Sequence, residues 1–336
     1  MKEITIIGGG LAGLALGIGL RNKGVPCVLY EKNDYPRHRV CGEFISGVSK
    51  DTLQRLDLLE TLSQSSSVPR VRWFIKNRNI FEMNFDADGI GISRYLLDEL
   101  LAKLFLSKGG QIVKKKHTLN QPKEGLVQAI GKPLNKGGNW IGLSIHILGT
   151  DTSDLEMHNG VGGYVGISPV EDGKANLTGL FLKNPKLKGK GKDLIIEYLR
   201  WIGLTHLADN LMNKECLEKS FCAISGFKFG FFKKNNEFSI GDSSQLIPPF
   251  VGNGMSMAIE SADIASEKIE KYSQGKWQWD QALESAKKEI NKLFTKRMMI
   301  ASALHPLLIS RFGLATLNLS SKMNLLPVST LYRWTR

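Results

Sequence analysis

Ile6-Ile7-Gly8-Gly9-Gly10-Leu11-Ala12-Gly13, near the start of the chain, decides the fold. Residues 3–7 (Glu-Ile-Thr-Ile-Ile) form a short β-branched strand that runs straight into Gly8. Leu14, Ala15 and Ile18 then recur on a helical period as far as Lys23, where Gly24-Val25-Pro26 stops the helix. Cys27-Val28-Leu29-Tyr30 is a second buried strand, ending at Glu31. Strand, glycine turn, helix and acid-terminated strand make a βαβ unit of the dinucleotide-binding kind. In such a unit Gly8 makes the turn, Gly10 lets a pyrophosphate approach the backbone, and Gly13 lets helix and sheet pack closely. The free N–H groups around Leu11 and Ala12 face the phosphates at the positive helix end. Glu31, with Lys32 beside it, is placed to accept the adenosine ribose hydroxyls.

A second segment fits the far end of a longer ligand. Phe238-Ser239-Ile240-Gly241-Asp242 leads on to Pro248-Pro249-Phe250-Val251-Gly252-Asn253-Gly254-Met255 and a helix to Lys271. Asp242 can accept from a ribityl-like hydroxyl. Pro249, Gly252, Asn253, Gly254 and Met255 allow a flat ring to approach a helix N-terminus, which favours the negative charge of a reduced flavin. Together the two segments predict FAD, held at its pyrophosphate by the first and at its ribityl chain and ring by the second.

The intervening chain divides between two bodies. Helices are expected over 47–62 and 93–108, and a hairpin over 71–85 with its turn at 76–79. Strands are expected at 140–148, 163–167 and 175–182, and short helices at 194–202 and 207–212. The predicted architecture is α/β (α+β overall). It has a discontinuous Rossmann-like FAD-binding domain (1–67, 86–138 and 233–275) interleaved with a β-sheet substrate domain (68–85 and 139–232). A helical basic C-terminal region (276–336) follows.

The 336 residues carry a net charge of +13, and hydrophobic residues make up 42%, ordinary for a globular enzyme. No apolar run is long enough to span a membrane, and no signal peptide is legible, so a cytoplasmic protein is expected. Cys27, Cys41, Cys216 and Cys222 have no metal or disulfide spacing. The histidines (His117, His146, His158, His206 and His305 among them) lack metal spacing too. From Lys287 to Arg336 nine Lys/Arg face one acid, Glu289, among Leu, Ile and Met. That composition suits a helical tail packed on its own protein. Peripheral contact with anionic lipid fits the same composition and is the less favoured reading. Pro306, Gly313 and Pro327 are expected to break the tail into short pieces. No nucleic-acid module accompanies the charge.

With Arg39-Val40-Cys41-Gly42-Glu43, Ser93-Arg94-Tyr95-Leu96-Leu97-Asp98 and Gly163-Tyr164-Val165-Gly166-Ile167-Ser168-Pro169 added, the chain resembles the p-hydroxybenzoate hydroxylase superfamily of FAD-dependent oxidoreductases. Its geranylgeranyl reductase-like branch is the nearest. The resemblance implies that Arg39, Cys41, Gly42 and Arg94 line the flavin or its phosphates. Glu43 is read as a loop cap with a minor catalytic claim. His146 and Tyr164, taken as lying on neighbouring strands, are candidate proton donors. Two departures stand out. No Asp-Gly follows the strand at Val127-Gln128-Ala129-Ile130-Gly131-Lys132, and the 109–125 segment is short. The absence of Trp from 163–169 argues against halogenation. The resemblance implies NAD(P)H as a transient reductant and a small apolar or aromatic substrate, isoprenoid- or polyketide-like, that is reduced at a C=C bond or hydroxylated. The rivals are a non-catalytic flavoprotein or lipid-binding accessory protein, and an NAD-dependent dehydrogenase.

Overall fold

The computed structural model describes residues 1–116, 123–133, 137–150, 152–232, 237–323 and 325. The expected βαβ unit forms as β1 (Ile4–Ile7), α1 (Leu11–Asn22) and β2 (Cys27–Glu31). A short strand β3 (Phe44–Ile45) follows, then α2 (Lys50–Arg55) and α3 (Leu58–Thr61). The single helix expected over 47–62 is thus broken. Asp57 takes a left-handed φ of 54° between the two pieces, and Ser49 caps the first through the Thr52 N–H. The hairpin β4 (Ser66–Ile75) and β5 (Arg78–Gly91) is longer than its apolar cores suggest, and turns on Lys76-Asn77 at positive φ. Residues 86–91, expected with the first body, therefore pair with β4 in the eight-stranded sheet.

Helix α4 (Arg94–Ser107), β6 (Gln111–Lys114) and β7 (Leu126–Gln128) return the chain to the first body. The strands β8 (Trp140–Ile147), β9 (Leu155–Gly160), β10 (Gly163–Val170) and β11 (Lys174–Leu182) then build the second. Helices α5 (Gly191–Trp201) and α6 (Thr205–Met212) precede β12 (Cys216–Ser225). β9 carries no apolar run and β12 only the short Phe221–Ile224 stretch after charged residues, so sequence pattern alone missed both. Short strands β13 (Gly230–Phe231), β14 (Phe238–Ser239) and β15 (Gln245–Leu246) lead to α7 (Gly254–Ser273), α8 (Trp279–Ile309) and α9 (Arg311–Lys322).

A five-stranded sheet has the order β14-β7-β1-β2-β6 with parallel pairing throughout. The partnership of Ser239 with Gln128, and of Gln128 with Ile7, sets β14 two strands from β1. Helix α1 is buried almost all round, packed against α7 and α4.

The second sheet, ordered β12-β8-β11-β10-β9-β4-β5-β3, has two unlike faces. Alternation turns Leu143, Ile145, Ile147, Val165, Ile167, Leu177 and Phe181 into a core with Ile195, Tyr198 and Leu199 of α5. The alternate residues make the other face: Trp140, Gly142, Ser144 and His146 on β8, Asn176, Thr178 and Leu180 on β11, and Tyr164, Gly166 and Ser168 on β10. That face meets the nucleotide domain, since a Cβ on Gly142 would lie 2.9 Å from Val40.

The C-terminal region departs from expectation. Helix α8 runs unbroken through Pro306, and Gly313 lies inside α9; the break is at Ser310. Tertiary hydrogen bonds hold the last turn of α8, where Leu308 O accepts from Asn159 Nδ2 and Ile309 O from Gly162 N. His117, Pro327, Arg333 and Arg336 lie outside the described residues.

Candidate functional site

The two glycine segments meet. Gly8 has φ 103° and hands its carbonyl to the turn against Gly13, where a Cβ would come within 1.9 Å of Gly8 O. Gly241 has φ 61°, and a Cβ there would come within 2.8 Å of the Ala12 side chain. Residues more than two hundred positions apart thus share one helix N-terminus.

Gly10 is different in kind. A Cβ there would meet nothing nearer than 3.8 Å, and its nearest neighbours are guanidinium nitrogens of Arg39 and Arg94. Two cations and the N-terminal end of α1 face the same open cradle. Asp98, wholly buried, orders them. Its Oδ1 accepts from Arg94 Nε at 2.8 Å and its Oδ2 from Arg94 Nη2 at 2.8 Å, and Oδ2 forms an ion pair with Arg39, whose Nε lies at 3.0 Å. Burial opposes the charge on Arg94, but Asp98 more than offsets it and holds the guanidinium charged. Part of the reason for an Arg at the start of α4 is therefore internal. Two guanidinium groups and one carboxylate still leave a net positive charge beside Gly10.

Glu31 ends β2 as expected. Its carboxylate accepts from Gly9 N at 2.9 Å and from Asn33 N and Nδ2 at 2.9 and 2.8 Å, and pairs with Arg37 at 3.2 Å. Burial alone would raise its pKa; the Asn33 and Gly9 N–H groups and Arg37 reverse that and keep it ionised. Tyr35 donates its hydroxyl to Gly9 O at 2.6 Å and closes the loop over the turn. Lys32 is solvent-exposed and touches none of this.

Gly42 and Gly254 also face open space: a Cβ on Gly42 would meet only Thr178, at 4.0 Å, and one on Gly254 nothing within 4 Å. Asn253 and Met255 are buried at the head of α7. Asp242, Gly254 and Met257 line one small depression. Cys41 is a spacer. Its Sγ accepts weakly from Glu43 N, its carbonyl from Asn176 Nδ2 at 2.8 Å, and burial raises its thiol pKa, so it stays protonated.

Of the three catalytic candidates, Glu43, His146 and Tyr164, the structure brings two together. Glu43 is 1% exposed, with a left-handed φ of 53°; its Oε1 accepts from Arg94 N at 2.8 Å and its Oε2 lies 2.7 Å from His146 Nε2. It is more than a loop cap. Burial pushes its pKa above the usual carboxylate range, against the bonds from His146 and Arg94. His146 is held by its own N–H on Ser220 Oγ, at an irregularity in β12 between Leu217 and Cys222. Its Nδ1 is buried without a partner, and the His38 ring lies edge-on at 5.1 Å. Burial lowers the pKa of His38 to about 4, and the ring stacks on Tyr95 at the surface.

Tyr164 does not join them. His146 and Tyr164 are not on neighbouring strands, because β11 lies between β8 and β10; Asn176 is opposite His146 and Leu180 opposite Tyr164. Tyr164 belongs to an aromatic group at the other end of the same face, with Trp140, Phe229, Phe250 and His305. His305 was invisible in the sequence, since no motif surrounds it and only the packing of α8 brings it there. No cluster of metal ligands occurs among the described residues.

Comparison with known proteins agrees with this architecture. Residues 6–48 match the family model of an NAD(P)-binding Rossmann-like domain. No curated protein matches the sequence. The flavin-dependent brominase Bmp2 superposes with a TM-score of 0.78 at 18% identity, over 99% of this chain and 93% of that one. Pseudomonas aeruginosa PqsL, in complex with 2-aminobenzoylacetate, gives 0.75 at 15% identity, over 94% and 99%. A geranylgeranyl bacteriochlorophyll reductase-like protein from Thermoplasma acidophilum gives 0.74 at 17%, over 99% and 95%. The chain shares the fold of these three proteins.

Proposed function

We propose that this chain is an FAD-dependent oxidoreductase that draws electrons from NAD(P)H and acts on a small apolar or aromatic substrate, reducing a C=C bond or hydroxylating it. The carrying observation is the cradle at Gly10, open to a ligand and faced by Arg39, Arg94 and the N-terminus of α1. An anion is what those groups lack. The contact of Gly241 with Ala12 supports one ligand long enough to use both segments.

In this reading Gly10, Arg39 and Arg94 hold the pyrophosphate, Glu31 orients the ribose, and Asp242 takes a hydroxyl of the linking chain. The backbone at Gly42 and Gly254 leaves room for the ring. Bound FAD supplies the hydride or oxygen chemistry. The residues of this chain set the place where it happens. Gly166, Thr178 and Ser144 make a floor of short side chains. Along β10, Tyr164 and Ser168 lie ~13 Å apart, at ~3.3 Å per residue. The aromatic group closes one end of that floor and excludes water. At the other end Glu43 Oε2 and His146 Nε2 share a hydrogen bond, within a buried site where burial favours the protonated form of Glu43.

The absorption spectrum of the purified protein tests the reading first, with flavin bands expected near ~450 nm. Anaerobic product formation with NADPH identifies a reductase, and obligatory oxygen uptake a monooxygenase. A flavin that NAD(P)H never bleaches points instead to a non-catalytic flavoprotein. Protein that refuses FAD yet oxidises a substrate with NAD points to the dehydrogenase.

A second reading, peripheral contact with anionic lipid, is favoured by the outward side of α8 and α9. Lys288, Lys292 and Met299 share one face of α8, and Phe312 (78% exposed) and Leu319 stand out from α9. No single helix among the described residues is long and apolar enough to cross a membrane.

A further inference from the structure

Two imidazole nitrogens lie buried near Glu43 with nothing to bond. His146 gives its Nε2 to Glu43 Oε2 at 2.7 Å, and its Nδ1 is buried without a partner. The Nδ1 of His38 is buried without a partner too. The two rings are neighbours, edge to face, with centroids 5.1 Å apart and planes at 83°. A buried polar atom left unbonded costs stability, and two on adjacent rings call for a reason. Neighbouring bonds hold both residues in place. The His146 N–H donates to Ser220 Oγ at 2.8 Å. His38 lies between Arg37 and Arg39, whose guanidinium groups are tied to Glu31 and Asp98. Its ring stacks on Tyr95 at 4.5 Å, and Tyr95 is 40% exposed. Glu43 and His146 are buried, whereas His38 is half-buried, so His38 is the member of the three that reaches the surface. Glu171 and Lys174 are the charged groups beside it, and Cys222 of β12 lies near Glu43 with a thiol that burial keeps protonated.

We infer that His38, His146 and Glu43 form a proton path from the surface to the open space beside Gly42. This rests on the oxidoreductase reading above for its use, and deepens it by naming how a proton enters. Reduction of a C=C bond by hydride takes up one proton, and hydroxylation with NAD(P)H and oxygen takes up one as well. A site that excludes water needs an inlet for it. Glu43 is the inner end, because Gly42 next to it faces open space. The transfer balances atom by atom. Once Glu43 has given up its proton, the Nε2–H of His146 moves to Oε2. His146 Nδ1 takes its replacement from His38 Nδ1, directly or over one bridging water, and His38 Nε2 takes a proton from solvent. One proton enters and no electron moves. Each ring is left as its other tautomer, which a turn about Cβ–Cγ restores before the next proton. Burial lowers the pKa of His38 to about 4, so that ring carries charge only in passing.

The test follows exchange of the His146 Nε2 proton with water, by saturation transfer from the solvent in NMR of the isotope-labelled full-length protein. The signal is assigned by its loss in His146→Gln. The companions are His38→Phe, which keeps a ring on Tyr95, and His38→Ala with and without added imidazole. In the wild type the proton is expected to exchange faster than the core amides, although His146 is 3% exposed. In His38→Phe exchange is expected to slow about a hundredfold, the low end for a positioned acid–base group. Added imidazole is expected to restore it in His38→Ala and to leave His38→Phe slow. A wild-type proton that exchanges no faster than the core amides overturns the inference. So does a rate that is unchanged or faster in His38→Phe, since opening of the fold rather than the His38 ring would then carry the proton. Flavin content is read separately by absorption. Colourless protein whose exchange depends on His38 sinks the flavin reading and leaves the path standing; flavin-loaded protein whose exchange ignores His38 does the reverse.

Discussion

Gly10 and Gly13 look equivalent in the sequence and are opposite in the structure. A Cβ on Gly13 would strike Gly8 O at 1.9 Å, so Gly13→Ala is expected to destabilise the fold by about 1–3 kcal/mol through forced backbone shifts. A Cβ on Gly10 has room, so Gly10→Ala is expected to cost about 0.5–1 kcal/mol at a helix N-cap while weakening FAD binding tenfold or more, roughly the loss of one charge-assisted contact. Urea unfolding of the apoprotein and FAD titration read the two effects separately; equal loss of stability in both variants would contradict the assignment. Glu43 carries a pH signature. Its folded pKa is raised by burial, so between the ordinary carboxylate range and that raised value the folded state holds more protons than the unfolded one. Stability therefore falls as pH rises through that window. Glu43→Gln, which keeps an acceptor for Arg94 N, is expected to remove that part of the slope. The difference in urea midpoints between wild type and variant, followed from weakly acidic to neutral pH, measures it.

At the scale of elements, α4 shows how one helix start serves both the fold and the proposed ligand site. Ser93 caps it by accepting from Leu96 N, and is itself held by Glu171 through both its N–H and its hydroxyl. One turn on, Asp98 fixes Arg94 bidentately and Arg39 singly. Arg94→Ala leaves that buried carboxylate poorly paired and is expected to destabilise the protein by about 3–5 kcal/mol. Arg39→Ala leaves the bidentate pair in place. It is expected to spare the fold and weaken FAD about tenfold or more, at the low end for a charge-assisted contact. Denaturation and FAD titration distinguish the two; an Arg39→Ala protein that binds FAD like the wild type would remove Arg39 from the site. Helix α9 has a structural task. Leu314 packs on Ile75 and Ile80, Ser321 donates to Ile80 O, and Arg78 donates to Asn318. A chain ending at Ser310 is expected to lose about 2 kcal/mol or more, from Leu314 alone, with an unchanged flavin spectrum.

For the whole molecule, the interleaved path is the point. Segments of the nucleotide body are separated by the second sheet, and the candidate site lies where that sheet's polar face meets the loop at 40–43. A basic, partly apolar outer surface is carried by α8 and α9, the same helices whose inner sides hold His305 and Leu314. If that surface meets anionic lipid, the protein co-sediments with phosphatidylserine vesicles at low salt and is released as salt rises, and the chain ending at Ser310 binds less. Equal binding to neutral vesicles would rule out the electrostatic contact.

The glycine spacing, the acid at Glu31 and the second segment at Gly241 were legible because local backbone chemistry dictates them: tight turns, close approach and a helix end leave few residue choices. The strands with apolar alternation were legible for the same reason, whereas β9 and β12, built of mixed residues, become strands only because neighbours pair with them. Pro306 reads as a helix breaker, yet Asn159 and Gly162 bond the carbonyls that close α8. By itself the sequence determined a dinucleotide-type βαβ unit and pointed to the second glycine segment that the fold brings beside it. Only tertiary structure decided that Glu43 meets His146, that Tyr164 does not, and that His305 joins Tyr164, because those pairings depend on strand order and helix packing across long separations in the chain.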